Sequence, residues 1–279
     1  MQKPKVIALI GPTASGKSSL GMFLASKIGG EVISADSRQI YRGMHVISRA
    51  EKGHMVGVAN PARRYSAGEY QKTAEKILVR LLKQKKVPLA VGGTGFYAES
   101  LLHNTLPLVP PNLKLRAVLA KKSPKQLLTI LTKLDSKSAR RVDPHNIVRV
   151  IRAIEIATVL GKVPKLTKSS LYEVLWLGLR EPKNLRKGVE SRLRSGMLAE
   201  AKSLRKKLSS KRYSELGFEF TLLAEYLDKK ISKKELIERI ANGERKYAKR
   251  QMRFFKRNPD IHWIKNKAEA LRLAKEFLK

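Results

Sequence analysis

The residues best suited to chemistry stand near the N-terminus. Gly11-Pro12-Thr13-Ala14-Ser15-Gly16-Lys17-Ser18 fits the pattern G-x-x-x-x-G-K-[ST]. Such a run turns backbone N–H groups inward around phosphate oxygens. Lys17 adds a point charge, and the Ser18 hydroxyl can ligate Mg²⁺. The pattern takes two neighbouring phosphates, so any diphosphate satisfies it, with or without a nucleoside. Asp36 stands after a short apolar run. A carboxylate there can join a Mg²⁺ shell, accept a proton from a nucleophile, or cap the next turn through its own backbone. Gly92-Gly93-Thr94 closes another apolar run. The glycines permit close backbone approach and the hydroxyl can donate to a phosphate oxygen, or the three residues simply form a tight turn.

Two further groups are basic. Arg149 and Arg152 lie three apart, on one face of a helix whose apolar face would be Ile147, Ile151 and Ile154. They suit a phosphate clamp or a solvated surface equally. From Tyr247 to Arg257 cations are mixed with aromatics, and Arg250, Arg253 and Arg257 fall on one helical stripe. Such a stripe contacts phosphate backbones while flanking rings stack on bases. Phe254 or Phe255 can instead anchor the helix in a core, and the two roles are compatible.

The elements that must position these groups follow from periodicity. Val6–Ile10 is a buried strand running into the glycine-rich segment, and a helix to Ile28 stops at Gly29-Gly30. Strands are also expected at Glu31–Ala35, Val87–Val91, Val174–Leu179 and, as an edge, Ile261–Ile264. Ser66-Ala67-Gly68-Glu69 and Ser232-Lys233-Lys234-Glu235 are capping boxes for helices reaching about Lys86 and Arg257. Asp143-Pro144 is expected to cap a helix ending at Gly161. Strands alternating with helices predict an α/β fold, a P-loop NTPase-like parallel sheet with helices on both faces. Pro107, Pro110 and Pro111 mark a linker into a smaller helical insert, and the chain from about Pro182 is helical and basic. The expected division is 1–106, 107–170 and 171–279.

The chain has 279 residues, 42% of them hydrophobic, so it can bury a sizeable core and is not a disordered polycation. Lys and Arg number 59 against 23 Asp and Glu, a net charge of +36. That field attracts polyanions, nucleic acid foremost. Without cysteine there is no disulfide and no cysteine–histidine metal site. No apolar run is long enough to span a membrane and Met1 leads directly into a strand, so a cytoplasmic protein without a membrane partner is expected.

Three blocks together resemble the tRNA dimethylallyltransferase (tRNA isopentenyltransferase) family: Gly11 to Lys17, Ser34-Ala35-Asp36-Ser37-Arg38-Gln39-Ile40-Tyr41-Arg42-Gly43-Met44, and Val91-Gly92-Gly93-Thr94-Gly95-Phe96-Tyr97. Tyr65-Ser66-Ala67, Arg149 with Arg152-Ala153-Ile154-Glu155, and Ala248-Lys249-Arg250-Gln251 extend the resemblance over roughly residues 5–264. It implies a P-loop core with a helical insert, and transfer of a dimethylallyl group from dimethylallyl diphosphate to N6 of the adenosine beside the anticodon (position 37), with Mg²⁺. Gly11, Pro12, Thr13, Ala14, Ser15, Gly16, Lys17 and Ser18 would hold the diphosphate. Asp36 would be the general base, with Lys17 and Thr94 beside it at the reaction centre. Asp36, Ser37, Arg38, Gln39 and Thr94 would line the base pocket. Arg116 and Val148, Arg149, Val150, Ile151 and Arg152 would meet the tRNA, as would the stripe of Arg250 and Arg253, and the enzyme would act as a monomer. The chain departs from the family at Ile47-Ser48-Arg49-Ala50-Glu51, where a family lysine contact could fall to Arg49 or Lys52. It also departs at His145-Asn146, Gly188-Val189 and Leu216-Gly217-Phe218. Two other readings share part of the pattern: a P-loop small-molecule kinase, and a non-catalytic tRNA-binding relative.

Overall fold

The computed structural model describes residues 3–103, 106–107, 109–165, 170–180 and 184–279. The start of the basic part at Pro182 lies outside the described residues. Alternating apolar residues build the sheet. In β1 (Lys5–Ile10), Val6, Ala8 and Ile10 point to one face and Ile7 and Leu9 to the other, all fully buried. β2 (Gly30–Ser34), β3 (Val87–Gly92), β4 (Glu173–Gly178) and β5 (Ile261–Trp263) complete a five-stranded sheet, order β2-β3-β1-β4-β5. Every pairing is parallel, so crossovers must cover both faces.

One face packs against helices Lys17–Ile28 and Lys267–Leu278 through Leu20, Leu24, Ala270 and Ala274. The other packs against Ala67–Lys83, Gly95–His103, Phe218–Leu227 and Lys233–Phe255 through Tyr70, Leu78, Leu101, Phe220, Ile240 and Phe255. Both serine capping boxes form, at Ser66 with Glu69 and at Ser232 with Glu235.

The chain forms two compact units, residues 1–104 with 170–279, and residues 105–169. The second has its own core of Leu119, Leu127, Leu131, Val150, Ala153, Ile154 and Ala157. Its helix Ile147–Leu160 is capped by Asn146, whose Oδ1 accepts from the Arg149 N–H, and not by Asp143-Pro144. Asp143 instead accepts from the His145 N–H, closing a turn before the helix. Among the described residues no helix is long and apolar enough to cross a membrane.

Candidate active site

The loop after β1 is shaped for an anion. Ala14 and Gly16 adopt left-handed φ of 60° and 86°, and the Ser15 N–H donates to Pro12 O at 3.3 Å. The helix Lys17–Ile28 starts with no side-chain cap and no acidic residue in its first turn. Its orphan N–H groups and positive dipole end therefore remain for a ligand. Lys17 arches back so that Nζ donates to Pro12 O at 3.1 Å, and it is 6% exposed. Burial pushes its ammonium below the ordinary value, the Asp36 carboxylate opposes that, and the Arg49 charge adds to it. The buried Ser15 Oγ has no hydrogen-bond partner.

Asp36 and Thr94 converge from neighbouring strand ends. Thr94 N–H donates to Ala35 O at 3.1 Å, and Thr94 Oγ1 accepts from the Ser37 N–H at 3.0 Å. Asp36 Oδ1 accepts from the Arg38 N–H at 3.0 Å, the turn-capping role. Oδ2 faces elsewhere: a Cβ placed on Gly93 would lie 3.3 Å from it, 3.4 Å from Lys17 Nζ and 2.5 Å from Gln251 Nε2. The Asp36 carboxylate, Lys17 and Gln251 thus surround one glycine.

Gly92, at the end of β3, and Gly95 make room for packing within the protein. A Cβ on Gly92 would meet Ala35 O at 2.0 Å, and one on Gly95 would meet the Phe254 ring at 2.4 Å. They admit the β2 loop and the helix Lys233–Phe255. That helix supplies Gln251, whose Oε1 accepts from the Thr13 N–H at 2.9 Å while Nε2 donates to Gly93 O at 2.8 Å. One side chain so ties the phosphate loop to the end of β3. The sequence marks Gln251 only as part of a family block and gives no sign of this bridge.

Other expected site residues fall into three groups. Arg38 is clamped by buried Glu219, Nη1–Oε1 at 2.5 Å and Nη2–Oε2 at 2.7 Å, so its guanidinium braces the site. Gln39 is buried, accepting from Ser34 Oγ at 2.7 Å and donating to Ser48 O and Arg49 O. Its amide faces protein, not an open base pocket. Arg250 and Arg253 are exposed while Phe255 is buried, so cations face outward and an aromatic inward on the same helix.

In the second unit, Val148 and Arg149 are exposed, Ile151 is half-buried, and Val150 is buried in the unit's core, where its side chain cannot face a ligand. Arg116 and Arg152 both pair with buried Glu155, at 2.7 Å and 3.1 Å. One carboxylate between two guanidiniums leaves a surplus positive charge on a half-exposed surface.

A cleft of about 340 Å³ opens beside Ser37 and Arg38, lined by Tyr41, Tyr65, Tyr97, Arg64 and Arg212. The Arg212 guanidinium stacks 5.3 Å from the Tyr41 ring. Rings and guanidinium planes of this kind accept unstacked bases. Tyr41, Tyr65 and Tyr97 lie in segments the sequence singles out, but nothing in the sequence points to Arg212.

Among the described residues no cluster of three or more His, Cys, Asp or Glu could hold a metal by itself. A hard cation would have to share the Ser18 hydroxyl and neighbouring oxygens with phosphate ligands, the mode usual for Mg²⁺. The donors present fit that mode.

This fold defines a P-loop-like α/β enzyme in which the glycine-rich loop after β1 lies at the same end of the sheet as Asp36 after β2. A family model described as IPP transferase matches residues 39–258, and the chain belongs to that family. It is 33% identical over 301 residues to the tRNA dimethylallyltransferase of Pelotomaculum thermopropionicum, covering 99% of this chain and 96% of the relative. The enzyme of the same name from Gloeobacter violaceus is 34% identical, covering 95% and 93%. The solved full-length tRNA isopentenylpyrophosphate transferase of Bacillus halodurans matches with a TM-score of 0.70 at 27% identity, covering 99% and 96%. A eukaryotic dimethylallyltransferase solved acting on tRNA shares the fold, with a TM-score of 0.78 at 24% identity over 94% of this chain and 73% of that one.

Proposed function

We propose that this protein transfers a dimethylallyl group from dimethylallyl diphosphate to N6 of adenosine 37 in tRNA. The observation that carries the reading is the convergence of Asp36 Oδ2 and Lys17 Nζ beside Gly93, at the mouth of the phosphate loop. The diphosphate lies in Gly11–Ser18, with Lys17 and the helix N-terminus against its oxygens. A Mg²⁺ ion held by Ser18 would, when bound, supply further charge neutralisation there.

The target adenine leaves its stack, which costs little in a single-stranded anticodon loop. Its N6 attacks the allylic C1. The C1–O bond breaks and its electron pair leaves with the diphosphate. The N6 proton passes to Asp36 Oδ2, while Oδ1 stays anchored on the Arg38 N–H. Thr94 holds this loop in place through Ser37. The exposed Arg250, Arg253 and Arg149, with the surplus charge at Arg116 and Arg152, bind tRNA phosphates. The enzyme works as a monomer in the cytoplasm.

The test incubates the protein with labelled dimethylallyl diphosphate, Mg²⁺ and unmodified tRNA, then digests the tRNA and weighs its nucleosides. Prenylated adenosine is expected. Bound tRNA without product would instead identify a binding protein, and ATP turnover a kinase.

A further inference from the structure

The segment around Arg49 is built to present one guanidinium to the phosphate loop. Arg49 caps the short helix His45–Ser48 in the left-handed region, φ 53° and ψ 43°, a conformation a non-glycine residue seldom adopts. Three neighbours hold it there. Glu200 accepts from the Val46 and Ile47 N–H groups, both at 2.9 Å. Arg192 Nη1 donates to Ile47 O at 3.0 Å, and Gln39 Nε2 donates to Ser48 O and Arg49 O.

The guanidinium itself spans two partners. Nη1 donates to Thr13 Oγ1 in the phosphate loop at 3.1 Å, and Nη1 and Nη2 pair with the two oxygens of Glu244, each at 3.0 Å. Glu244 is buried and also takes Arg192 Nη2 at 2.6 Å. One carboxylate thus faces two guanidiniums, leaving a net positive charge. Arg192 is the buried member, its side chain 6% exposed; that of Arg49 is 26% exposed. Five N–H donors belong to a guanidinium, and the partners just named use three. Gly188 leaves room beside this arrangement: a Cβ there would lie 3.2 Å from Arg49 Nη2.

We propose that Arg49 is a second cationic contact for the diphosphate, placing its free N–H donors and the surplus charge of the Arg49–Glu244–Arg192 group on the leaving group across the loop from Lys17. This rests on the reading of Gly11–Ser18 as a diphosphate site. The depressed Lys17 ammonium agrees with Arg49 charge reaching that loop. A guanidinium suits the role because its planar fork can hold Glu244 and phosphate oxygens together, as an ammonium cannot.

The experiment measures inorganic pyrophosphate binding by calorimetry, and steady-state prenyl transfer, in wild type, Arg49→Ala, Arg49→Lys and Lys17→Ala. Arg49→Ala leaves Glu244 paired with Arg192, and its melting temperature without ligand reports folding separately. Expected are pyrophosphate binding weakened about 10- to 100-fold in Arg49→Ala, as for loss of a charged hydrogen-bonding group, partial recovery in Arg49→Lys, and unchanged tRNA affinity. Pyrophosphate binding and turnover equal to wild type in Arg49→Ala, with binding still lost in Lys17→Ala, would overturn the role of Arg49 alone. Wild-type pyrophosphate binding that survives Lys17→Ala would overturn the diphosphate reading and this inference with it.

Discussion

In the proposed reaction Asp36 divides its two oxygens between structure and chemistry. Oδ1 caps the turn at Arg38, and Oδ2 looks toward Lys17 across Gly93. The sequence leaves capping and proton acceptance as rival roles, but a carboxylate can do both. Glycine is equally specific here. A Cβ at Gly92 would collide with the Ala35 backbone, which cannot yield as a flexible side chain can. Gly92→Ala is therefore expected to lose about 3 kcal/mol or more of stability in denaturant titrations. A loss under about 0.5 kcal/mol would show that the two loops do not approach as described.

At the scale of elements, the helix Lys233–Phe255 organises the site. Glu244, Ala248, Gln251 and Phe255 recur along its buried face, and Arg250 and Arg253 stand outside. The sequence reveals this helix, its capping box and its arginine stripe, because these are local patterns. It does not find the Gln251 bridge or the Glu244 clamp, because each depends on residues brought together over more than 150 positions, such as Thr13 with Gln251 and Arg49 with Glu244. Gln251→Ala should raise KM for the diphosphate substrate about tenfold, the equivalent of one lost hydrogen bond to the loop, with tRNA affinity unchanged. Parallel losses of both would place Gln251 elsewhere in the mechanism. On the outer face, Arg250→Ala and Arg253→Ala should each flatten the salt dependence of tRNA binding by about one in the log–log slope, leaving pyrophosphate binding alone. A slope equal to wild type would remove them from the RNA contact.

Across the whole molecule, the parallel sheet is legible from five apolar runs and the residues that end them, and strand ends shift by only a residue or so. The missed Asn146 cap shows the limit: Asp143-Pro144 and Asn146 are both good caps, and only the register of Ile147–Leu160 on its core chooses between them. Charge acts at this scale too. At +36 the protein repels itself as it gathers RNA, and acid adds to that charge. For Glu219, burial works to raise the carboxyl, but the Arg38 charge and hydrogen bonds hold it below the ordinary 4.5. A depressed folded value means stability present above about pH 4.5 and lost as pH falls through the folded value. Melting temperature should therefore fall as pH drops below about 4.5 toward the depressed folded value. Glu219→Gln should lower stability by about 3–5 kcal/mol at neutral pH, since Arg38 is left uncompensated, and should flatten the acid limb. An acid limb unchanged in that variant would assign the loss to other carboxylates.

In the proposed reaction the Asp36 carboxylate takes the adenine N6 proton while the loop Gly11–Ser18 holds the departing diphosphate. The most direct test of this step is the single-turnover rate of prenyl transfer in Asp36→Asn against wild type, with both substrates saturating and tRNA binding measured alongside. tRNA and pyrophosphate should bind Asp36→Asn nearly as they bind wild type, while the rate falls about 10²- to 10⁴-fold, the range for loss of a general base. A rate within about threefold of wild type would contradict this role, because a proton acceptor other than Asp36 would then serve the reaction.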